Sequence, residues 1–182
     1  MAQTNAPLIV LGITGGIAAY KSAELCSALA QSGETVQVVM TANAQRFVAP
    51  LVFKTLSRRP VLTSLWEDPG EWRPEHVAYA SQAKLFVVAP ATANFLAKYA
   101  HGIADDALST FAATYRGPVI LAPAMNPAMW SHPACADNAA LLRKRGVEFV
   151  GPVEGHVACG EAAGAGRMAS VEEILAAIRH AL

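Results

Sequence analysis

Four short apolar runs limit what this chain can fold into: Leu8 to Leu11, Val36 to Met40, Leu85 to Ala89 and Val119 to Ala122. Each has strand length, and only Gln37 interrupts them. Helical patterns separate them: Ile17 to Gln31, Phe95 to His101, Asp106 to Tyr115, Ala134 to Arg145 and finally Val171 to His180. A strand apolar on both sides needs cover on both faces, and alternation with helices supplies that cover through parallel crossovers. Gly33 stands where a helix-ending glycine belongs, and Glu148 to Val150 reads as a short last strand. The expected fold is therefore α/β: one doubly wound, flavodoxin- or Rossmann-like parallel sheet with helices on both faces, in a single domain over residues 1–182. Trp66 to Pro74, with two tryptophans and a Pro-Gly pair, reads as a surface excursion from it.

Composition narrows the function class. A formal net charge of +0 leaves no electrostatic footprint for nucleic acid and no polybasic membrane patch. The one basic cluster, Arg143-Lys144-Arg145, ends a predicted helix, where cations meet the negative end of its dipole. Three cysteines, Cys26, Cys135 and Cys159, show neither paired nor zinc-ligand spacing. The first residues lack the basic start of a signal peptide, so a cytoplasmic location is expected. With 53% hydrophobic and 15% charged residues, the chain is apolar enough to suggest surface buried in a homo-oligomer.

In this fold class, ligands sit beyond the carboxyl ends of the strands. The first strand runs into Gly12-Ile13-Thr14-Gly15-Gly16-Ile17 and then a helix, which suits an anion at free backbone N–H groups; a tight turn alone is the other reading. The dinucleotide spacing and the P-loop Gly-Lys-Ser/Thr are both missing, and Thr41-Ala42-Asn43 follows the second strand where an acidic ribose ligand would stand. A mononucleotide with one phosphate fits better. Two later strands end alike, in Pro90-Ala91-Thr92-Ala93-Asn94 and Pro123-Ala124-Met125-Asn126. In each, the proline is expected to halt the strand, small residues leave room for a flat ring, and an amide follows. Asn94 is read equally well as a helix cap. His76 opens a helix-like stretch and, by itself, reads as a surface or capping residue; no two histidines are spaced as metal ligands. Finally, Cys159 sits in a glycine-rich segment with little to bury it, as a loop folding over a ligand would be built.

Together these motifs resemble the homo-oligomeric flavin-containing cysteine decarboxylases. Pro90 to Asn94 looks like that family's Pro-Ala-Ser-Ala-Asn-Thr motif, with Thr92 in place of serine and Phe95 in place of threonine. Pro123 to Trp130 matches its Pro-x-Met-Asn-x-x-Met-Trp motif in full. Ala158-Cys159-Gly160-Glu161 with Gly166-Arg167-Met168 is similar to the substrate flap, at about 153–168, of the branch that decarboxylates 4′-phosphopantothenoylcysteine for coenzyme A; Glu161 stands where aspartate is commoner.

The resemblance implies FMN, with its phosphate at Gly15, Gly16, Ile17, Thr41, Ala42 and Asn43, and its ring near Thr92, Ala93, Asn94 and Ala124. It implies catalytic roles for His76, Asn126 and Cys159, and substrate contacts from Met125, Met129, Ala158, Gly160 and Arg167. It further implies a small-molecule substrate, trimers that can assemble into dodecamers, and a phosphopantothenoylcysteine synthetase domain or protein as partner. Peptidyl-cysteine decarboxylases of lantibiotic type, and non-catalytic FMN-binding regulatory trimers, are the neighbouring alternatives.

Overall fold

The computed structural model describes residues 8–66, 75–155 and 164–182, with backbone only at Glu75 and His76. Five parallel strands form its sheet: β1 (Leu8–Ile13), β2 (Thr35–Met40), β3 (Ala83–Ala91), β4 (Val119–Pro123) and β5 (Glu148–Phe149). Their spatial order is β2-β1-β3-β4-β5, so the connections reverse direction between β1 and β3. The sequence expectation of a doubly wound parallel sheet holds. No helix among the described residues is long and apolar enough to cross a membrane.

Alternation along each strand divides the core in two. Ile9, Leu11, Leu85, Val87 and Ile120 meet Leu25 and Leu29 of α1 (Ala19–Gln31), Phe53 of α2 (Pro50–Ser57), and Ile174 and Ile178 of α8 (Val171–Ala181). On the opposite face, Val10, Phe86, Val88 and Leu121 meet α4 (Ala93–His101), α5 (Ala107–Thr114) and α7 (Pro133–Lys144). Phe86 centres this second layer, edge-on to Phe111 at 5.0 Å and to Phe95 at 6.4 Å. α3 (Glu75–Gln82) leads into β3.

Pro90 does not halt its strand, contrary to expectation, whereas β4 does end at Pro123. β3 continues through Pro90 to Ala91, which pairs with Pro123 at the end of β4. The ladder shifts register between Val88 and Ala91, and side chains take over where regular pairing lapses. Thr14, just past β1, donates its hydroxyl to the Pro90 carbonyl at 2.6 Å and accepts the Thr92 N–H at 3.1 Å. Ser22 of α1 donates to the Ala89 carbonyl at 2.6 Å. Both residues are buried, so these bonds form away from water.

Several elements were not foreseen. α2 and α6 (Pro127–Trp130) are short helices, and β6 (Val153–Glu154) pairs antiparallel with β7 (Ala165–Arg167). The first helix begins at Ala19 rather than Ile17, because Gly15 to Ala18 form the turn ahead of it. Leu62 bridges to Val39 on the outer side of β2, with backbone bonds from Met40 N–H to Leu62 O and from Leu62 N–H to Val38 O. The basic cluster does more than meet a dipole. The Arg143 guanidinium stacks 4.3 Å from the Phe149 ring centre, and Arg145 donates to the Ala100 carbonyl at 2.6 Å. Within the excursion, Trp66 is 91% exposed, and residues 67–74 lie outside the described residues.

Ser22→Ala removes the hydroxyl that satisfies the Ala89 carbonyl without opening much space. We expect a loss of about 1–3 kcal/mol in urea unfolding, the cost of stranding a buried acceptor. An unchanged midpoint would show that the bond contributes nothing.

Candidate functional site

A cleft of about 1010 Å³ opens over the carboxyl ends of β1 and β3, where the sheet's connections diverge. That is the ligand position for this topology. The volume lies at the top of the roughly 300–1,000 Å³ range of small-molecule sites, enough for a mononucleotide and a second molecule.

Three loops form one end of the cleft. Gly15, Gly16 and Ile17 lead into α1; Thr41, Ala42 and Asn43 follow β2. The two segments touch: a Cβ on Gly15 would overlap Asn43 Cβ, so glycine is what lets the loops close on one another. The third segment, Thr92 to Asn94, is tied to the first through Thr14.

Capping separates α1 and α2 from five other helices, and of these two only α1 opens on the cleft. Thr92, Asp106, Asn126, His132 and Ser170 each cap a helix with their own side chains. The Ala18 N-cap of α1 makes no such bond, and no acidic residue occupies that helix's first turn. Ala19 N–H and Lys21 N–H donate to Gly16 O and Ala18 O, so what this end of the cleft offers a phosphate is a helix terminus with no side chain competing for it. This arrangement favours the anion-site reading of the glycine turn, and it fits the phosphate end of a flavin mononucleotide.

The other end carries the two matched motifs. Thr92, not Asn94, caps α4 by accepting the Phe95 N–H at 3.3 Å. Asn94 lies in that helix's first turn, exposed and lining the cleft, so the cap reading of Asn94 is corrected. Thr92 wins the role because its extended backbone turns the hydroxyl onto the helix end. Asn126 lines the cleft while its Oδ1 accepts the Ala128 N–H at 2.8 Å, capping α6. Ala124, Met125 and Met129 lie beside it on the same wall. Cys135 lies behind this wall, its Sγ 3.6 Å from Met125 Sδ, with burial raising the thiol's pKa.

Arg167 and Met168 reach the cleft from β7. That strand is pressed onto the second motif: Met125 N–H donates to Gly166 O at 2.9 Å, and a Cβ on Gly166 would overlap the Met125 carbonyl. The proposed flap thus has a defined base, while Ala158, Cys159, Gly160 and Glu161 lie outside the described residues. His76 falls in α3, and only its backbone is described.

Three features of the cleft escaped the sequence reading. Thr14 immediately precedes the glycine pair, yet its role depends on a residue 78 positions away. Lys21 and Lys98 line the cleft, each four residues beyond a recognised one, Ile17 and Asn94. For Asn94 and Lys98 that spacing puts both on one face of α4 and was a usable signal, whereas Ile17 lies in the turn ahead of α1. Asp106 was legible only as a helix start, yet it too lines the cleft.

Comparison with known proteins adds a second line of argument. The Flavoprotein family model matches residues 2–182. The coenzyme A biosynthesis bifunctional protein CoaBC of Bacillus subtilis (strain 168) is 44% identical over 92% of this chain and 41% of its own length. The protein of the same name from Mycolicibacterium smegmatis is 45% identical over 91% of this chain and 39% of its own length. The chain thus spans about two fifths of the curated relatives it matches. Among solved structures, a cysteine-to-serine mutant of a PPC decarboxylase, complexed with pantothenoylaminoethenethiol, aligns with a TM-score of 0.84 at 27% identity, covering 97% of this chain and 98% of its own. The FMN-dependent cysteine decarboxylase SpaF aligns at 0.80 with 31% identity, covering 99% of both chains.

The dual position of Asn126 can be checked by stability alone. Asn126→Ala should lose about 1 kcal/mol in urea unfolding, and Asn126→Asp, which keeps the capping oxygen, should stay within about 0.5 kcal/mol of the parent. Equal losses in both variants would argue against the cap.

Proposed function

The chain belongs to the Flavoprotein family, and we propose that it decarboxylates 4′-phosphopantothenoylcysteine to 4′-phosphopantetheine in coenzyme A biosynthesis, with FMN as cofactor. The carrying observation is the cleft itself: an open helix N-terminus at one end and Asn126 with its methionines at the other. The mononucleotide's phosphate sits against Gly15, Gly16 and Ile17 with Thr41, Ala42 and Asn43, and its ring lies along Thr92, Ala93, Asn94 and Ala124. The CoaBC relatives and the PPC decarboxylase likeness support the substrate.

A cysteine carboxylate has no place to put the electron pair left behind when carbon dioxide departs. Bound FMN supplies the two-electron oxidation that converts the CH2–SH arm to CH=S, and later returns those electrons. The thioaldehyde is the sink: the C–CO2 bond breaks, and its pair becomes the C=C bond of an enethiolate. Asn126 holds the substrate carboxylate, its amide orientation set by the α6 cap. His76 moves or orients a proton near neutral pH. Cys159, in the flap over 153–168, donates the proton to carbon when the enethiol is reduced, which calls for a thiol rather than a thiolate. Met125, Met129, Ala158, Gly160 and Arg167 contact the rest of the substrate.

The 1–182 unit works in the cytoplasm as a homotrimer, or as a dodecamer of such trimers. Ile17, Tyr20, Phe47 and Leu51, large apolar side chains left exposed around the phosphate end, support assembly. A phosphopantothenoylcysteine synthetase, as a further domain or a separate protein, supplies the substrate; the bifunctional relatives support that pairing.

The purified protein should be yellow and release carbon dioxide from 4′-phosphopantothenoylcysteine. Turnover of a cysteine-ending peptide in its place would favour the peptide-acting alternative, and flavin binding without either activity would favour a regulatory trimer. Cys159→Ser should still release carbon dioxide but accumulate the oxidised enethiol, visible by mass spectrometry. Normal yield of reduced product from that variant would refute the proton-donor role.

A further inference from the structure

Three charged groups in the cleft, Lys21, Lys98 and Asp106, have no part in the scheme above, and two of them are paired. Lys98, on α4, reaches from the face that carries Asn94 to Asp105 Oδ1 at 2.6 Å and Asp106 Oδ2 at 3.2 Å. Asp106 is the only acidic residue lining the cleft among the described residues. Its other oxygen is committed to α5, accepting the Ser109 N–H at 2.8 Å and the Ser109 hydroxyl at 2.9 Å. The carboxylate is therefore fixed in place, and a fixed negative charge opposes both an anionic substrate and a ring that must accept electrons.

We propose that Lys98, held between Asp105 and Asp106, is a charge-setting group for the cofactor: it offsets the one carboxylate that lines the cleft and so eases passage of the flavin to its reduced, more negative form. The inference rests on the flavin reading given above. A surface ion pair would contribute little, but the Lys98 side chain is only 18% exposed and lines the cleft, where screening is weaker. Burial alone would lower the Lys98 pKa, but its hydrogen bonds to Asp105 and Asp106 raise it above the usual lysine value, so the charge persists. Neighbouring charge of this kind is one of the levers by which a protein tunes a redox cofactor.

The test is the midpoint potential of bound FMN, titrated against a reference dye in the holoprotein. Lys98→Met should shift it to more negative values by a tenfold change in the oxidised-to-reduced balance, about 30 mV for a two-electron couple. Lys98→Arg should remain near the parent. Asp106→Asn, which keeps the α5 cap because asparagine caps as well as aspartate, should shift the potential in the positive direction. The double variant should return toward the parent. If Lys98→Met does not fold, Asp106→Asn carries the test by its sign. Unmoved potentials in a yellow protein, or shifts of the same sign from both single changes, overturn the inference alone. A parent protein that takes up no FMN overturns the flavin reading and this inference with it.

Discussion

Two hydroxyls hold the ligand end of this sheet together. Thr14 and Ser22 bond the carbonyls of Pro90 and Ala89 at the place where the β3–β4 ladder shifts register. Without them, the end of β3 would present buried acceptors to an apolar interior, at a cost of a few kcal/mol. With them, the turn after β1, the first helix and the start of α4 become one rigid frame. The two ends of the cleft, one at the start of α1 and one at the wall that carries Asn126, keep their spacing because of that frame.

Helix capping shows a second economy. Five helices end their N-termini on their own side chains, and three of those caps (Thr92, Asp106 and Asn126) also line the cleft. A residue whose oxygen is bound to a helix end has few rotamers left, so its other atoms are held in place as well. α1 and α2 have no such cap, and the uncapped end of α1 is the one that opens on the cleft. Preorganisation and recognition are thus divided between closed and open helix ends.

Much of this was readable from the amino acids. The apolar runs gave the strands because burial on both faces leaves no polar alternation to blur them, and the matched Pro–Asn and Pro–Met–Asn segments located the cleft. Proline misled at Pro90, where a missing N–H costs little beside a register shift, and read correctly at Pro123, the last residue of β4. The short elements α2, α6 and the β6–β7 hairpin carry too few residues to show a period. Thr14 and Asp106 were hidden for a different reason: their roles are set by partners from other elements, and no local pattern marks them, whereas Lys98 stood four residues beyond Asn94 on one helix face.

The borders of the sheet have a consequence of their own. On the β2 side, Leu62 already occupies backbone groups of Val38 and Met40, and on the other side β5 is only two residues long. Both flanks are therefore poor templates for a strand from another copy. Copies of this chain that associate would meet through side chains and loops rather than by extending a common ladder, so such contacts could be altered by surface substitutions without disturbing the hydrogen-bonded framework beneath.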